Sequence, residues 1–161
     1  MVSPSETEQA MKRHADCVWH VCFLYFGRTA DAQDAFQESF LRFHARREPF
    51  RDSEHEKAWL IRVATNICKD MLKKSERRNV AVDEADTGAL ASRDSLAQPG
   101  GAVSDVLDAL SSLPPDHRTA LYLTAVQGYT AREVARLMGA TENTVYSWVS
   151  RARERMKELL K

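Results

Sequence analysis

The sequence predicts an all-α protein made of two small helical domains joined by a flexible linker. Apolar residues recur at helical spacing through both ends of the 161-residue chain, and no segment shows the apolar-polar alternation that is typical of a strand. Between these ends, residues 80–101 are rich in Ala, Asp, Ser and Gly and have no hydrophobic period. We therefore expect a domain of three helices over residues 1–79, an acidic linker over residues 80–102, and a domain of four helices over residues 103–161.

Two helices begin the first domain. Apolar residues at helical spacing predict a helix over residues 7–26, which Gly27 ends. Asp31 is the predicted N-cap of a second helix over residues 32–46, and Pro49 lies beyond its end. This second helix has one polar side and one side that faces a core, with Ala35, Phe36, Phe40 and Phe43 as its predicted core residues.

A third helix, the longest of this domain, follows a short loop. Ser53 and Glu56 have the spacing of a capping box, which predicts where the helix begins. Its C-terminal residues 69–78 are mainly basic, which suits the negative pole of a helix. Its predicted buried stripe consists of Trp59, Leu60, Val63, Ile67, Cys68 and Met71.

The second domain is predicted to begin with two helices, a short one over residues 103–111 and another from Pro115 to Gln127. Pro114 and Pro115 favour the start of the longer one, because a proline at the first helical position loses no hydrogen bond. Its predicted apolar side carries Ala120, Leu121, Leu123 and Val126.

The chain ends in a short helix, a glycine turn and a long helix. Thr130 and Glu133 form a predicted capping box for the short helix over residues 131–138, Gly139 closes it, and Thr141 caps the long one. This pattern fits two packed helices of any bundle, and it also fits a helix-turn-helix whose second helix lies in a DNA major groove. The predicted core side of the long helix carries Val145, Val149, Ala152, Met156, Leu159 and Leu160.

The charge distribution is compatible with nucleic-acid binding. Lys and Arg number 23 and Asp and Glu number 23, but both predicted domains are mildly basic and the linker between them is acidic. No stretch approaches the ~20 apolar residues of a membrane span, and the N-terminus lacks the apolar core of a signal peptide. We therefore expect a cytoplasmic protein without membrane insertion.

The cysteines are expected to be reduced thiols inside helices. Cys17, Cys22 and Cys68 are odd in number and lie within helical patterns. His14 and His20 near the first two thiols suggest a zinc site as an alternative, but their helical spacing spreads the side chains around the cylinder instead of converging them. We expect no metal and no cofactor.

Three segments of the chain combine these patterns in a fixed order. They are DAQDAFQESFLRFHAR, then KAWLIRVATNICKDMLKKSERR, and, after the linker, LSSLPPDHRTALYLTAVQGYTAREVARLMGATENTVYSWVSRARERMKELL. Together they resemble the extracytoplasmic-function (ECF) group of bacterial RNA polymerase sigma factors, in the sigma-70 family. The resemblance implies a three-helix bundle like sigma region 2, a four-helix helix-turn-helix domain like region 4, and a non-enzymatic protein that directs core RNA polymerase to promoters.

The resemblance assigns polymerase binding to the second helix. In the family, the matching segment docks on a coiled coil of the largest polymerase subunits, where carboxylates would pair with arginines and an aromatic ring would anchor the face. The alternative is a solvated helix face, on which the like charges of Asp34 and Glu38 cost a little stability. Ala35 lies where the family usually has leucine, and Phe36 is expected to compensate. The matching residues are Asp34, Gln37, Glu38 and Phe40.

Melting of the minus-ten promoter element is assigned to the loop after the second helix and to the third helix. A base that leaves the duplex loses its stacking, which an aromatic wall and polar groups compensate, while Lys and Arg hold the phosphates. We expect Phe50 to be the wall and Asn66 the polar edge, whereas Trp59 fits either the helix core or a stacking platform. The matching residues are Phe50, Arg51, Trp59, Arg62, Asn66 and Lys69.

Recognition of the minus-thirty-five element is assigned to the final helix. Glu can accept from cytosine and Asn can bond adenine, whereas arginines would hold phosphates. The family usually has basic residues where Tyr146 and Trp148 stand, so either the target sequence is unusual or Trp148 packs partly into the core. The matching residues are Arg132, Glu142, Asn143, Thr144, Tyr146, Ser147, Ser150, Arg151 and Arg153.

Two other functions compete with this interpretation. A DNA-binding regulator that ignores polymerase would leave the polar side of the second helix without a purpose. An enzyme is disfavoured because the sequence has no Gly-rich phosphate loop and no nucleophile-base constellation. The resemblance further implies an anti-sigma factor that clamps both domains, and we expect a monomer when the protein is free.

Overall fold

The computed structural model describes residues 3–27, 29–78 and 109–159. Within these ranges the chain is all-α, as predicted, and none of the described residues is in a strand. The predicted linker, residues 80–102, and most of the predicted helix over 103–111 lie outside them; residues 109–111 are helical. The helices are α1 (Pro4–Phe26), α2 (Ala30–Ala45), α3 (Ser53–Arg78), α4 (Pro115–Leu121), α5 (Ala131–Met138) and α6 (Glu142–Leu159).

Helix α1 begins three residues before its predicted start. Ser3 is its N-cap and forms a capping box with Glu6, while Pro4 occupies the first helical position. The prediction of a start at Thr7 was therefore wrong, because it relied on apolar periodicity and passed over the Ser-Pro-Ser-Glu signal. The predicted end is confirmed, and the N–H of Gly27 donates to the carbonyl of Phe23 at 2.7 Å.

The caps of α2 and α3 also differ from their predictions. Thr29, not Asp31, caps α2, and its side chain accepts from the N–H of Ala32 at 3.3 Å. At α3 the carboxylate of Asp52 accepts from the N–H of His55 at 2.8 Å, so Ser53 is already helical. Both corrections shift the cap to the residue whose side chain reaches the third helical N–H.

Aromatic rings fill the first bundle. Phe43 stacks on Phe50 with centroids 5.6 Å apart and an interplanar angle of 11°, and Trp59 meets Phe50 edge-on at 5.6 Å. On α2 Ala35 is fully buried, and the ring of Phe36 packs edge-on against that of Trp19 with centroids 6.0 Å apart. These contacts hold α1, α2 and α3 around one apolar centre.

The second domain follows its predicted boundaries closely. Pro115 opens α4, the Thr130–Glu133 capping box opens α5, and Gly139 closes α5 in the left-handed conformation (φ 68°, ψ 41°). The side chain of Thr141 accepts from the N–H of Thr144 at 3.1 Å and caps α6. The end of α4 was not foreseen, because Tyr122–Val126 forms a π-helical turn.

Two residues predicted on the apolar side of these helices are exposed. Val126 is 67% exposed because the π-helical turn rotates it away from the core, and Leu159 is 41% exposed at the end of α6. Val145 and Ala152 are buried as expected. Leu160 lies outside the described residues.

The two domains pack against each other, which the sequence did not predict. Helix α1 contacts α4 and helix α3 contacts α5, so buried residues of both domains belong to one apolar cluster. Among the described residues, no helix combines the length and the apolar character that a bilayer crossing requires.

Candidate nucleic-acid and partner interfaces

The outer face of α6 is open to solvent. Its polar residues Glu142, Asn143 and Ser150 are exposed, and the hydroxyl of Tyr146 donates to Oε2 of Glu142 at 3.3 Å. Thr144 and Ser147 are half-buried at the edge of this face. The predicted phosphate-binding residues Arg132, Arg151 and Arg153 are all exposed around it. Seven of the nine residues predicted for the minus-thirty-five element are therefore exposed, and the other two, Thr144 and Ser147, are half-buried.

Trp148 packs against α4. Its ring lies 6.3 Å from that of His117 at an angle of 37°, and it is half-buried against the core. Burial and, to a smaller extent, the positive charge of Arg151 lower the pKa of His117, while Asp116 opposes the shift. Trp148 thus follows the second of the two interpretations offered by the sequence: it serves packing between α4 and α6.

The polar side of α2 forms a second accessible surface. Asp34 and Gln37 are exposed, and the carboxylate of Glu38 accepts from Nε of Arg42 at 3.0 Å. Leu41, which the sequence analysis did not single out, is 62% exposed beside them. The exposed carboxylates of this surface can form charge-assisted hydrogen bonds with basic side chains of a partner.

Phe40 does not belong to this accessible surface. Only 4% of it is exposed, and its ring packs 5.2 Å from that of Phe36 inside the bundle. The prediction that Phe40 anchors a partner therefore conflicts with its buried position. The sequence had given Phe40 two roles, because its apolar spacing predicted a core residue and the family match predicted a polymerase contact. In this structure Phe40 supports α2 from the core side.

The residues predicted for the minus-ten element fall into packed and exposed groups. The ring of Phe50 is covered by Phe43, Trp59 and the guanidinium of Arg46, which lies 4.2 Å from its centroid. Phe50 and Trp59 are therefore half-buried members of the bundle core in this state. Arg51, Arg62 and Asn66 are exposed.

Lys69 is already engaged by the other domain. Its ammonium donates a hydrogen bond to the backbone carbonyl of Met138, near the C-terminal end of α5. Arg51, Trp59 and Arg62 share a cleft of about 450 Å³ with Tyr129 and α5 residues that include Arg136 and Leu137. The side of α3 that is predicted to bind the minus-ten element thus lies partly against the helix-turn-helix domain, which was not expected from the sequence.

The carboxylate of Glu56, at the start of α3, contacts two side chains of α1, the exposed Arg13 and the buried His14. Oε1 of Glu56 lies 2.7 Å from Nη2 of Arg13 and 2.9 Å from Nε2 of His14. Sequence reasoning had assigned Glu56 to a capping box, and only the pairing of α1 with α3 reveals its structural role. The same pairing explains His14, whose buried ring has Glu56 as its partner.

The three cysteines are buried and free. A hydrogen bond with Cys22, followed by burial, raises the pKa of the Cys68 thiol far above its usual range, and burial raises that of Cys17. Thiols held in this state are poor metal ligands. Within the described ranges no cluster of His, Cys, Asp and Glu has the geometry of a metal site.

Family comparisons match both domains separately. The model of sigma-70 region 2 matches residues 10–78, and the model of sigma-70 region 4 matches residues 104–156. The chain is 32% identical over 153 residues to the ECF RNA polymerase sigma factor SigM of Mycobacterium tuberculosis, covering 95% of this chain and 76% of SigM.

Two solved structures have the same fold. The sigma factor RpoE of Bartonella quintana, crystallised with the anti-sigma factor NepR, superimposes with a TM-score of 0.71 at 24% identity, covering 96% of each chain. CnrH, in complex with the cytosolic domain of CnrY, superimposes with a TM-score of 0.65 at 22% identity, covering 98% of this chain and 89% of CnrH.

Proposed function

The chain belongs to the ECF group of RNA polymerase sigma factors, non-enzymatic proteins of promoter-specific transcription initiation, and from this premise we propose how its surfaces divide the work. Residues 1–79 act as region 2, residues 103–161 act as region 4, and residues 80–102 connect them. Region 2 binds core RNA polymerase and opens the minus-ten element, and region 4 recognises the minus-thirty-five element. The open, arginine-rimmed outer face of α6 is the observation that carries this proposal.

The outer face of α6 fits a DNA major groove. Glu142 and Asn143 lie in the first turn, where a recognition helix contacts base edges. Asn143 can bond adenine bidentately and Glu142 can accept from cytosine. Arg151 and Arg153, farther along the helix, are placed to hold phosphates, which orient the helix without carrying sequence information.

The polar side of α2 is proposed to bind core polymerase. Asp34 and Glu38 offer carboxylates to basic side chains, and Leu41 offers an apolar contact in place of the buried Phe40. The ion pair between Glu38 and Arg42 is exposed to solvent. Breaking it so that Glu38 can pair with an arginine of the partner therefore costs little free energy.

The minus-ten element is proposed to bind along α3. Arg51 and Arg62 are placed to hold the strand's phosphates, and Asn66 can bond the edge of an extruded base. Phe50 and Trp59 must shift from their packed positions if either is to stack on that base. Lys69 must likewise leave the carbonyl of Met138 before it can bind a phosphate.

The partners follow from this division of surfaces. Core RNA polymerase and promoter DNA are the principal ones, and the protein works in the cytoplasm with its polymerase. The complex of RpoE with the anti-sigma factor NepR supports a further partner, an anti-sigma factor. We propose that it clamps both domains of this chain. The free chain is proposed to be a monomer.

Transcription with purified components tests the proposal. The chain is mixed with core RNA polymerase and a library of promoter fragments, and run-off products are sequenced. We expect transcripts from a subset of promoters that share two elements at a fixed spacing, and none from core enzyme alone. Tight binding to promoter duplex without any effect of core polymerase would instead identify a regulator that acts through the helix-turn-helix only.

A further inference from the structure

The outer face of α6 carries one large ring among short polar side chains. Tyr146 is 57% exposed, whereas Val145 and Ala152 on the opposite side of the helix are fully buried. Its neighbours one helical turn away on the outer face, Asn143 and Ser150, are exposed as well. Such short side chains cannot cover a phenol ring, so the apolar surface of the ring remains open to solvent.

The hydroxyl of Tyr146 is directed back toward its own helix. It donates to Oε2 of Glu142 at 3.3 Å, four residues earlier in the chain. Side chains of a helix commonly take this direction, because their Cα–Cβ bonds tilt toward the N-terminus. The phenol therefore lies along the outer face of α6, and it presents its ring, not its hydroxyl hydrogen, to a molecule bound there.

The charges around this face suit DNA. The guanidinium groups of Arg132, Arg151 and Arg153 belong to exposed side chains around the ring, and arginines in such places hold phosphates. The proposed function accordingly gives this face to the major groove of the minus-thirty-five element.

A major groove offers few apolar groups to an aromatic ring. Each base edge presents hydrogen-bond donors or acceptors there, and the C5-methyl group of thymine is the apolar exception in unmodified DNA. Contact between that methyl group and a ring removes apolar surface from water on both sides. The open ring of Tyr146 therefore matches a thymine better than any other base.

The position of the ring separates this contact from the one proposed for Glu142. Four residues advance an α-helix by about 6 Å, and successive base pairs are stacked about 3.4 Å apart. The ring of Tyr146 should thus meet a different base pair, one or two steps from the pair under Glu142.

We infer that Tyr146 makes region 4 specific for a thymine, whose C5-methyl group packs on the phenol ring at a base pair beside the one that Glu142 contacts. The inference rests on the proposed function, since it adds one base to the recognition of the minus-thirty-five element. The contact belongs to the ring, so Tyr146→Phe retains it and Tyr146→Ala loses it.

Uracil is the probe, because it is thymine without the methyl group and keeps the same hydrogen-bonding edges. Polymerase holoenzyme is titrated with a promoter selected by run-off transcription, in which each thymine of the minus-thirty-five element, on either strand, is replaced in turn by uracil. We expect one replacement to weaken binding about fourfold, as the loss of one buried methyl group would. Tyr146→Phe should show the same loss at the same position.

The alanine variant decides whether Tyr146 is the cause. Tyr146→Ala should bind the thymine promoter less tightly than the wild type does, and it should bind the uracil promoter with the same affinity as the thymine promoter. The matched control is Val126→Ala, which shortens another exposed apolar side chain of region 4 and should keep the fourfold effect of uracil. Circular dichroism verifies that all variants keep their helices.

Two results would overturn the inference even if transcription succeeds. In the first, the wild type binds every uracil promoter as tightly as the thymine promoter; in the second, Tyr146→Ala keeps the fourfold loss, which would assign the methyl group to another residue. If core polymerase has no effect on DNA binding, the proposed function fails instead. The uracil series is then measured on the duplex that the chain binds alone, where it still decides the role of Tyr146, and a chain that binds no DNA in either form would remove both proposals.

Discussion

The hydroxyl of Tyr146 donates a hydrogen bond to Oε2 of Glu142, one helical turn earlier on the outer face of α6. This contact restricts the carboxylate that is proposed to accept from cytosine. Tyr146→Phe should therefore reduce discrimination at the base pair under Glu142 by about 1 kcal/mol. Competition binding of polymerase holoenzyme to single-base promoter variants measures this. Glu142→Ala should abolish discrimination at that same base pair, and a change elsewhere would refute the pairing.

Asn143 and Arg151 should affect DNA binding in different ways. Asn143→Ala should cost about 1–3 kcal/mol on the preferred promoter and relax base preference, because a bidentate contact is lost. Arg151→Ala should weaken binding to all sequences alike and lower the salt slope by about one. Titrations of promoter and scrambled DNA at several salt concentrations distinguish the two. Equal losses on both DNAs for Asn143→Ala would contradict the assignment.

Charge reversal at Glu38 should weaken the complex with core polymerase. Glu38→Lys removes a carboxylate from the exposed side of α2 and puts a positive charge opposite the expected arginines, so a loss of about 1–3 kcal/mol is expected. Glu8→Lys, an equal change at an exposed site on α1, is the control. Co-elution with core enzyme on a sizing column, followed by titration, gives the affinities. Equal affinities for the two variants would remove α2 from the interface.

Gly139 should be sensitive to a side chain for conformational reasons alone. Its φ is +68°, and a Cβ added there would meet no atom within 4 Å. Gly139→Ala should lower the free energy of unfolding by about 1 kcal/mol, since an L-residue in the left-handed region is strained. Gly139→Asn should cost less, because Asn tolerates this region. Urea denaturation of the three proteins measures the order, and an alanine variant as stable as the wild type would contradict it.

His117 should make stability depend on pH. Burial, with a smaller contribution from Arg151, lowers its pKa in the folded state, so the unfolded chain binds this proton more readily. Stability should therefore fall as the pH drops below the ordinary histidine value of about 6.5, until the lowered folded pKa is passed. His117→Gln should lose less stability over this interval. Thermal unfolding curves of the wild type and of His117→Gln between about pH 7.5 and pH 5 provide the comparison. Equal losses of stability in the two proteins would exclude a contribution of His117.

Local signals in the sequence determined most of the second domain. Thr130 and Glu133, Gly139, and the Pro114-Pro115 pair each act through contacts within a few residues, and the structure places all of them as predicted. Thr29 and Asp52 were missed because a neighbouring residue offered an equally good cap. The capping residue is the one whose side chain reaches a free N–H of the first helical turn. Which side chain does so depends on the backbone conformation of the loop before the helix.

Contacts between distant residues could not be predicted in the same way. The pairing of Glu56 with Arg13 and His14 joins positions more than 40 residues apart, and the contact of Lys69 with Met138 joins different domains. Phe40 illustrates a related difficulty, since apolar spacing placed it in the core and the family match placed it on the surface. The outer face of α6 was predictable because exposure on a helix follows directly from the 3.6-residue period.

The π-helical turn Tyr122–Val126 has a consequence for how sequence length varies in this protein. Such a turn accommodates one residue more than an α-helical turn, and each helical residue rotates the chain by about 100°. Deleting a single residue here would restore a regular helix while leaving Tyr129 and the following helices on nearly the same side of α4, because the π-helical turn is what accommodates the additional residue. A one-residue deletion should therefore be tolerated better in this stretch than inside the regular helices, where it would rotate the following residues by about 100°.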